Sequence, residues 1–117
     1  MNDTSIRQIL IAYLKNTGQK SRIYPKKSIG SSICDVMVVT DKLTGYAIKS
    51  DADNYQHLDN QIKLYDCFFD ENYLVVSAKH LQTVADKVPE HWGISCVHTT
   101  NLEVVRKAKK NPNVKRI

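Results

Sequence analysis

Ser32-Ile33-Cys34-Asp35-Val36-Met37-Val38-Val39-Thr40, then Gly45-Tyr46-Ala47-Ile48-Lys49-Ser50, is the stretch whose reading decides the fold. In the first run Cys34, Val36 and Val38 alternate with Ile33, Met37 and Val39, so apolar residues occupy both faces of a strand and both faces are expected to be buried. Asp41 to Gly45 supplies turn residues, and Tyr46 to Ser50 reads as the second strand of a hairpin. If Thr40 opposes Tyr46, the two-residue period puts Asp35, Ala47 and Lys49 on one face.

Downstream, Asp53 or Asn54 is expected to cap a helix running to about Phe68, with Leu58, Gln61, Ile62 and Tyr65 on one face. Asn72 to Ala78 reads as a strand. Leu81, Val84 and Val88 suggest a third helix stopped by Pro89, and Trp92 to Val97 a further strand, with Leu102 to Val105 as an edge. Upstream, Asp3, Thr4 and Ser5 are placed to cap a helix carrying Ile6, Ile9, Leu10, Tyr13 and Leu14, closed by Asn16 to Gly18. Arg22 to Tyr24 is a short strand leaving into a loop at Pro25, Lys26, Lys27 and Gly30. No repeat or low-complexity segment interrupts this order, which predicts an α/β domain with a mixed central sheet flanked by helices.

At 117 residues the chain fits one domain able to bury a core without disulfides or metal staples. Its net charge of +5 is uneven: Arg106, Lys107, Lys109, Lys110, Lys115 and Arg116 face Glu103 alone, which divides the chain into a body, 1–105, and a basic C-terminal tail, 106–117. Such a tail is either a solvated, frayed end or a phosphate-binding surface that gains affinity by counterion release. Cys34, Cys67 and Cys96 are too scattered for a disulfide framework or zinc site and read as reduced core thiols. Asp3, Arg7 and Lys15 break any signal-peptide core, and no segment reaches the ~20 apolar residues of a membrane span. A cytoplasmic protein is expected.

Asp35 is the discordant residue of its strand, because a carboxylate on an apolar face must meet a metal, a cation or hydrogen-bond donors, or open to water at a strand end. Lys49 would converge on it in the register above. Gln61 and Tyr65, four apart, point polar groups toward the same region. Asp51 and Asp53 lie close enough to supplement the site but have the usual position of capping acids. His57, His80, His91 and His98 show no metal-ligand spacing, and surface or capping roles are expected for them. Trp92 is expected in the core or a cleft wall, and no glycine-rich phosphate loop is present.

In this order and spacing, Asp35, Lys49, Gln61 and Tyr65 resemble the D…(E)xK…QxxxY signature of the RecB-like branch of PD-(D/E)XK nucleases. The chain is similar, more closely, to a small bacterial and phage family predicted to be such nucleases, with G-Y-E-I-K-S-D-x-D, Q-x-x-x-Y, a V-V strand, H-L and P-x-W-W-G-I. Here these are Gly45 to Asp53, Gln61 with Tyr65, Val75-Val76, His80-Leu81 and Pro89 to Ile94. The resemblance implies a restriction endonuclease-like core and a Mg²⁺- or Mn²⁺-dependent hydrolase acting on DNA. It makes Asp35 a metal ligand, position 47 the second carboxylate, the Ile48 carbonyl a further ligand, Lys49 the cation that orients or activates water, and Gln61 and Tyr65 positioning groups.

Ala47 departs from the pattern, and no acid replaces the family's earlier one among Tyr24, Pro25, Lys26 and Lys27. A weakened metal site and an inactive or crippled enzyme are therefore expected. Ala47 marks either a natural pseudonuclease or an inactivating substitution, and the retention of Asp35, Lys49, Gln61 and Tyr65 favours the second. The alternative function is a catalytically dead module that holds nucleic acid or protein in the same cleft, with Arg106, Lys107, Lys109 and Lys110 as DNA contacts. RNA stays open as a substrate, and a homodimer is compatible with double-strand cutting although no interface signature stands out.

Overall fold

The computed structural model describes residues 1–115. In chain order the elements are α1 (Asp3–Lys15), β1 (Arg22–Ile29), β2 (Ser32–Val39), β3 (Leu43–Lys49), α2 (Leu58–Phe68), β4 (Glu71–Ser77), β5 (Gly93–His98) and β6 (Asn101–Arg106), with one 3₁₀ turn at Ala78–His80. The strands form one mixed sheet in sequential order. β3, β4 and β5 run parallel, while β1–β2, β2–β3 and β5–β6 are antiparallel. The α/β class with helices on both faces is as expected.

Each helix covers one face through its apolar stripe. Ile6, Leu10 and Leu14 of α1 pack on Val36, Val38, Ile48, Val75 and Val97. Leu58, Tyr65 and Phe69, from α2 and its end, pack with Met37, Ala47, Leu74, Val76, Trp92, Ile94 and Cys96 on the other face. Both parallel crossovers lie on this second face, because Val84 and Val88 of the β4–β5 connection join the same core, consistent with the common hand of such connections.

Several local expectations are corrected. The cap of α1 is Asn2, whose Oδ1 accepts from the Ser5 N–H at 2.8 Å. α2 begins after His57 without a side-chain cap; Asp53 instead accepts from the N–H and hydroxyl of Ser50 at 2.7 and 2.9 Å, and Asn54 from the Gln56 N–H at 2.9 Å. β1 continues through Pro25 to Ile29; it is an edge strand, where a missing N–H is tolerated. The third helix is absent: the segment after His80 is a chain of turns closed by bonds such as Thr83 N–H to His80 at 3.1 Å and Lys87 N–H to Val84 at 2.9 Å. These turns bury Val84 and Val88 without a helix, so the apolar spacing was met by another geometry.

The hairpin is tighter than expected. Val39 pairs with Leu43 and Val36 with Tyr46, so Thr40 faces no strand partner; Ala47 and Lys49 keep the same parity, but Asp35 lies beyond the last pair and its carboxylate meets Arg7 of α1. Cys67 is exposed, whereas Cys34 and Cys96 are buried, and all three thiols are free. Among the described residues no helix is long and apolar enough to cross a membrane.

Two glycines are required by close approach. A Cβ on Gly93 would lie 2.2 Å from the Tyr73 ring and 2.7 Å from the Ala108 nitrogen, and one on Gly45 would lie 2.4 Å from the Phe69 ring. Gly93→Ala is expected to cost at least about 1–3 kcal/mol, because backbone as well as ring must shift. Urea unfolding with an unchanged midpoint would count against this packing.

Candidate functional site

At Asp35 the regular ladder is interrupted on both sides. The β2–β3 pairing ends at Val36–Tyr46, and the Asp35 carboxylate, through Oδ2, accepts from the Ile48 N–H at 2.8 Å. A side chain thus takes the place of a ladder carbonyl. On the β1 side, Pro25–Val36 and Lys27–Cys34 pair, but Lys26, with φ at 55°, and Asp35 do not. The alternation of β2 consequently slips: Val36 and Val38 face α1, while Met37 and, against expectation, Cys34 face α2. Ile33 is exposed.

Tyr65 of α2 reaches this break, its phenolic oxygen accepting the Asp35 N–H at 3.2 Å. From α1, Arg7 Nη2 stands 3.9 Å from Asp35 Oδ1 and 3.8 Å from Asp3 Oδ2. Burial pushes the Asp35 carboxyl above its ordinary value and the charge of Asp3 adds to this; the Ile48 N–H, Arg7 and Lys49 oppose it. Burial likewise raises the Cys34 thiol to about 11 and keeps the Tyr65 phenol protonated, so neither is a nucleophile or base near neutrality.

The sign of the Asp35 shift has a consequence for stability. A carboxyl raised in the folded state binds its proton more tightly there, so its contribution is full below the unfolded value and is lost as pH rises through the folded one. Asp35→Asn, which retains an acceptor for the Ile48 N–H, is therefore expected to leave the neutral-pH Tm unchanged or higher. A large drop in Tm at neutral pH, shrinking in acid, would contradict this.

Lys49 is buried, ends β3 two residues beyond Ala47, and lies within electrostatic reach of Asp35. Ala47 is fully buried in the α2-side core together with Tyr65. Gln61, one turn before Tyr65, has a buried side-chain oxygen without a hydrogen-bond partner. Asp35, Ala47, Lys49 and Tyr65 are thus assembled around the break, with Gln61 on the same helix. Asp51 pairs with the N-terminal amine and Asp53 with Ser50, so neither supplements the site.

These residues fit a hard divalent cation poorly. Such an ion needs several oxygen ligands, but one Asp35 oxygen is taken by the Ile48 N–H, Arg7 stands by the other, and the same Arg7 lies beside Asp3, the second carboxylate near the break. The Ile48 carbonyl leaves β3 on the same edge as its N–H and would be the second ligand, while Ala47 offers none. Among the described residues no group of three His, Cys, Asp or Glu is arranged to hold a metal.

Among the described residues, the basic C-terminal segment is not a frayed tail. Arg106 donates from Nε to the Trp92 carbonyl at 2.9 Å and from Nη2 to the Pro89 carbonyl at 3.0 Å, so it is committed to structure. Lys109 pairs with Glu90 at 3.2 Å. Ala108 and Asn111 are buried, the Asn111 amide donating to the carbonyls of Asp66 and Phe69 at 2.6 and 2.7 Å. Lys107 and Lys110 are exposed; Arg116 lies outside the described residues.

Sequence reasoning missed Asp66. This buried acid of α2 accepts from Trp92 Nε1 at 2.8 Å, His91 Nε2 at 3.0 Å, Asn72 Nδ2 at 3.2 Å and Asn113 Nδ2 at 3.3 Å. His80, also buried rather than at the surface, bridges the Tyr55 hydroxyl and the Ser50 carbonyl at 2.9 and 2.7 Å. His57 precedes α2, and His98 pairs with Glu103 at 3.0 Å. A cavity of about 280 Å³ lies under the end of α1, among Tyr13, Tyr46, Tyr73 and Ser95, but neither Asp35 nor Lys49 lines it.

The fold recurs in a solved structure, the SPO1766 protein of unknown function from Silicibacter pomeroyi. It is 18% identical, with a TM-score of 0.71 over 94% of this chain and 74% of that chain. No curated protein matches. The family described as bacteriophage P4 protein cII matches residues 3–117; neither description names an activity. The chain belongs to that cII family.

Proposed function

We propose that this domain is a PD-(D/E)XK-type DNA nuclease by architecture, with a restriction endonuclease-like core, and that Ala47 leaves it without hydrolytic activity. The observation that carries the reading is the break in β2: a carboxylate leaves the ladder at Asp35, is held by the Ile48 N–H, and has Lys49 and Tyr65 beside it. An incidental strand acid would be served by a water-exposed position at lower desolvation cost. The unpartnered oxygen of Gln61 supports a group intended for something besides the fold. Free, buried Cys34 and Cys96 support a reducing cytoplasmic setting.

The second reading is a DNA-holding module of the same fold, favoured by Arg7 near Asp35 and by the fully buried Ala47. Chelator-sensitive cutting of plasmid DNA by an Ala47→Glu protein, absent in the chain as it stands, is the expected result that separates the two. A folded Ala47→Glu protein that binds DNA but never cuts it would leave the second reading.

A further inference from the structure

The C-terminal cations are partly consumed by structure, whereas another basic segment is not. Residues 15–34 contain Lys15, Lys20, Arg22, Lys26 and Lys27 and no acid, so this segment alone carries as much excess charge as the whole chain. All five cations are exposed. Among the described residues none of them stands in an ion pair.

Four of the five lie on or just before β1, the outer strand of the sheet. β2 meets β3 only from Val36 to Val39, so Lys27 to Ile29 and Ser32 to Cys34 form a two-stranded arm, turned at Gly30 with φ at 59°. Ile29 is buried and the arm's turn approaches Leu64 of α2, which steadies it. Ile33 is exposed on the arm, and Tyr24 farther back along β1. Lys26 lies across from Asp35, at the break itself.

Edge strands are often protected by lysine and proline against pairing with other chains. That explanation would apply equally to the opposite edge, β6, yet β6 exposes Val104 and Val105 and its Arg106 is turned onto backbone carbonyls. The charge is thus specific to the β1 edge, with Lys26 and Lys27 beside Asp35 and Lys20 and Arg22 at the other end of the strand. A two-stranded ribbon fits the major groove of B-DNA, about 12 Å wide, whereas the corresponding RNA groove is deep and narrow.

Resting on the reading that DNA is the partner, we infer that the β1 edge with the β1–β2 arm that ends it, through Lys20, Arg22, Lys26 and Lys27, is the duplex-DNA surface, in place of residues 106–115. Seated in the major groove, it brings a phosphate toward Asp35 and Lys49.

The test uses the full chain and a fluorescein-labelled DNA duplex, with anisotropy measured across a salt series. Lys26→Glu/Lys27→Glu is expected to weaken binding about tenfold or more and to flatten the log–log salt slope by about two, one for each phosphate contact. Arg22→Gln/Lys27→Gln, milder to the fold, should act in the same direction, and circular dichroism checks both. Lys107→Gln/Lys110→Gln should change affinity less than either. Unchanged affinity and slope in both arm variants, a loss confined to the C-terminal variant, or tighter binding of an RNA duplex would each overturn the inference. Absence of any DNA binding by the parent chain would overturn it together with the partner reading. Arm-dependent binding, with an Ala47→Glu protein that neither cuts nor gains a metal-dependent rise in Tm, would uphold it and remove only the nuclease reading.

Discussion

Ala47→Glu is expected to create Mg²⁺- or Mn²⁺-dependent DNA cleavage and, with it, a metal-dependent rise in Tm that the parent chain lacks. The substitution places a carboxylate two residues before Lys49, on the strand face shared with Tyr65, beside the break at Asp35. Position 47 is fully buried, so the longer side chain first disturbs packing, at a cost of about 1–3 kcal/mol. The two neighbouring carboxylates also repel and raise one another's pKa. A divalent ion relieves that repulsion and is bound by the folded form only, so it should stabilise the variant by about 2.7 kcal/mol at a hundred times its Kd.

The thermal shift therefore reports the site even where turnover is slow. Adding Lys49→Ala should abolish cutting while leaving the metal-dependent shift largely in place, because lysine is not a ligand in this arrangement. A well-folded Ala47→Glu protein with neither cleavage of DNA or RNA nor a shift with either metal would remove the nuclease proposal. A shift without cleavage would mean that the carboxylates meet but that substrate or Lys49 is out of place.

Much of this arrangement was legible because strand parity survives errors of register. Thr40 does not oppose Tyr46, but the actual register differs by an even number of residues, so Ala47 and Lys49 keep their shared face. Gln61 and Tyr65 were legible from helical spacing. What the alternation could not supply was the slip at Asp35, which sends Cys34 to the opposite face from Val36; it depends on the positive φ of Lys26 in the neighbouring strand and on the Ile48 N–H. Likewise Leu81, Val84 and Val88 have helical spacing, yet turns satisfy the same burial. The C-terminal cations show a different limit. Charge counts treat Arg106 and Lys107 alike, whereas the fold spends one guanidinium on the Pro89 and Trp92 carbonyls and leaves the other side chain in water.

Asp66→Ala is expected to be the most destabilising single substitution described for this chain. Its carboxylate receives donors from three separate segments: Asn72 of β4, His91 and Trp92 before β5, and Asn113 after β6. The backbone carbonyl of the same residue also takes the Asn111 amide. Removing the side chain orphans the buried Trp92 donor, at about 1–3 kcal/mol, takes one of the two acceptors of the Asn72 amide, with the Tyr65 carbonyl remaining, and leaves a cavity against a fully buried tryptophan. The total, about 3–5 kcal/mol, is a large part of the roughly 5–15 kcal/mol that holds a domain together, and should lower Tm by more than about 10 °C.

Asp66→Asn keeps the shape and one acceptor toward Trp92 but turns an amide toward the other donors, so it should fall between parent and Asp66→Ala. The order of the three melting temperatures is the measurement. Below its melting point Asp66→Asn should bind duplex DNA as the parent does, since neither the β1–β2 arm nor Asp35 touches this residue. A Tm for Asp66→Ala within a degree or two of the parent would show that the network contributes little. A DNA-binding defect in folded Asp66→Asn would place the functional surface at the C-terminal strap, where the charge count alone had put it.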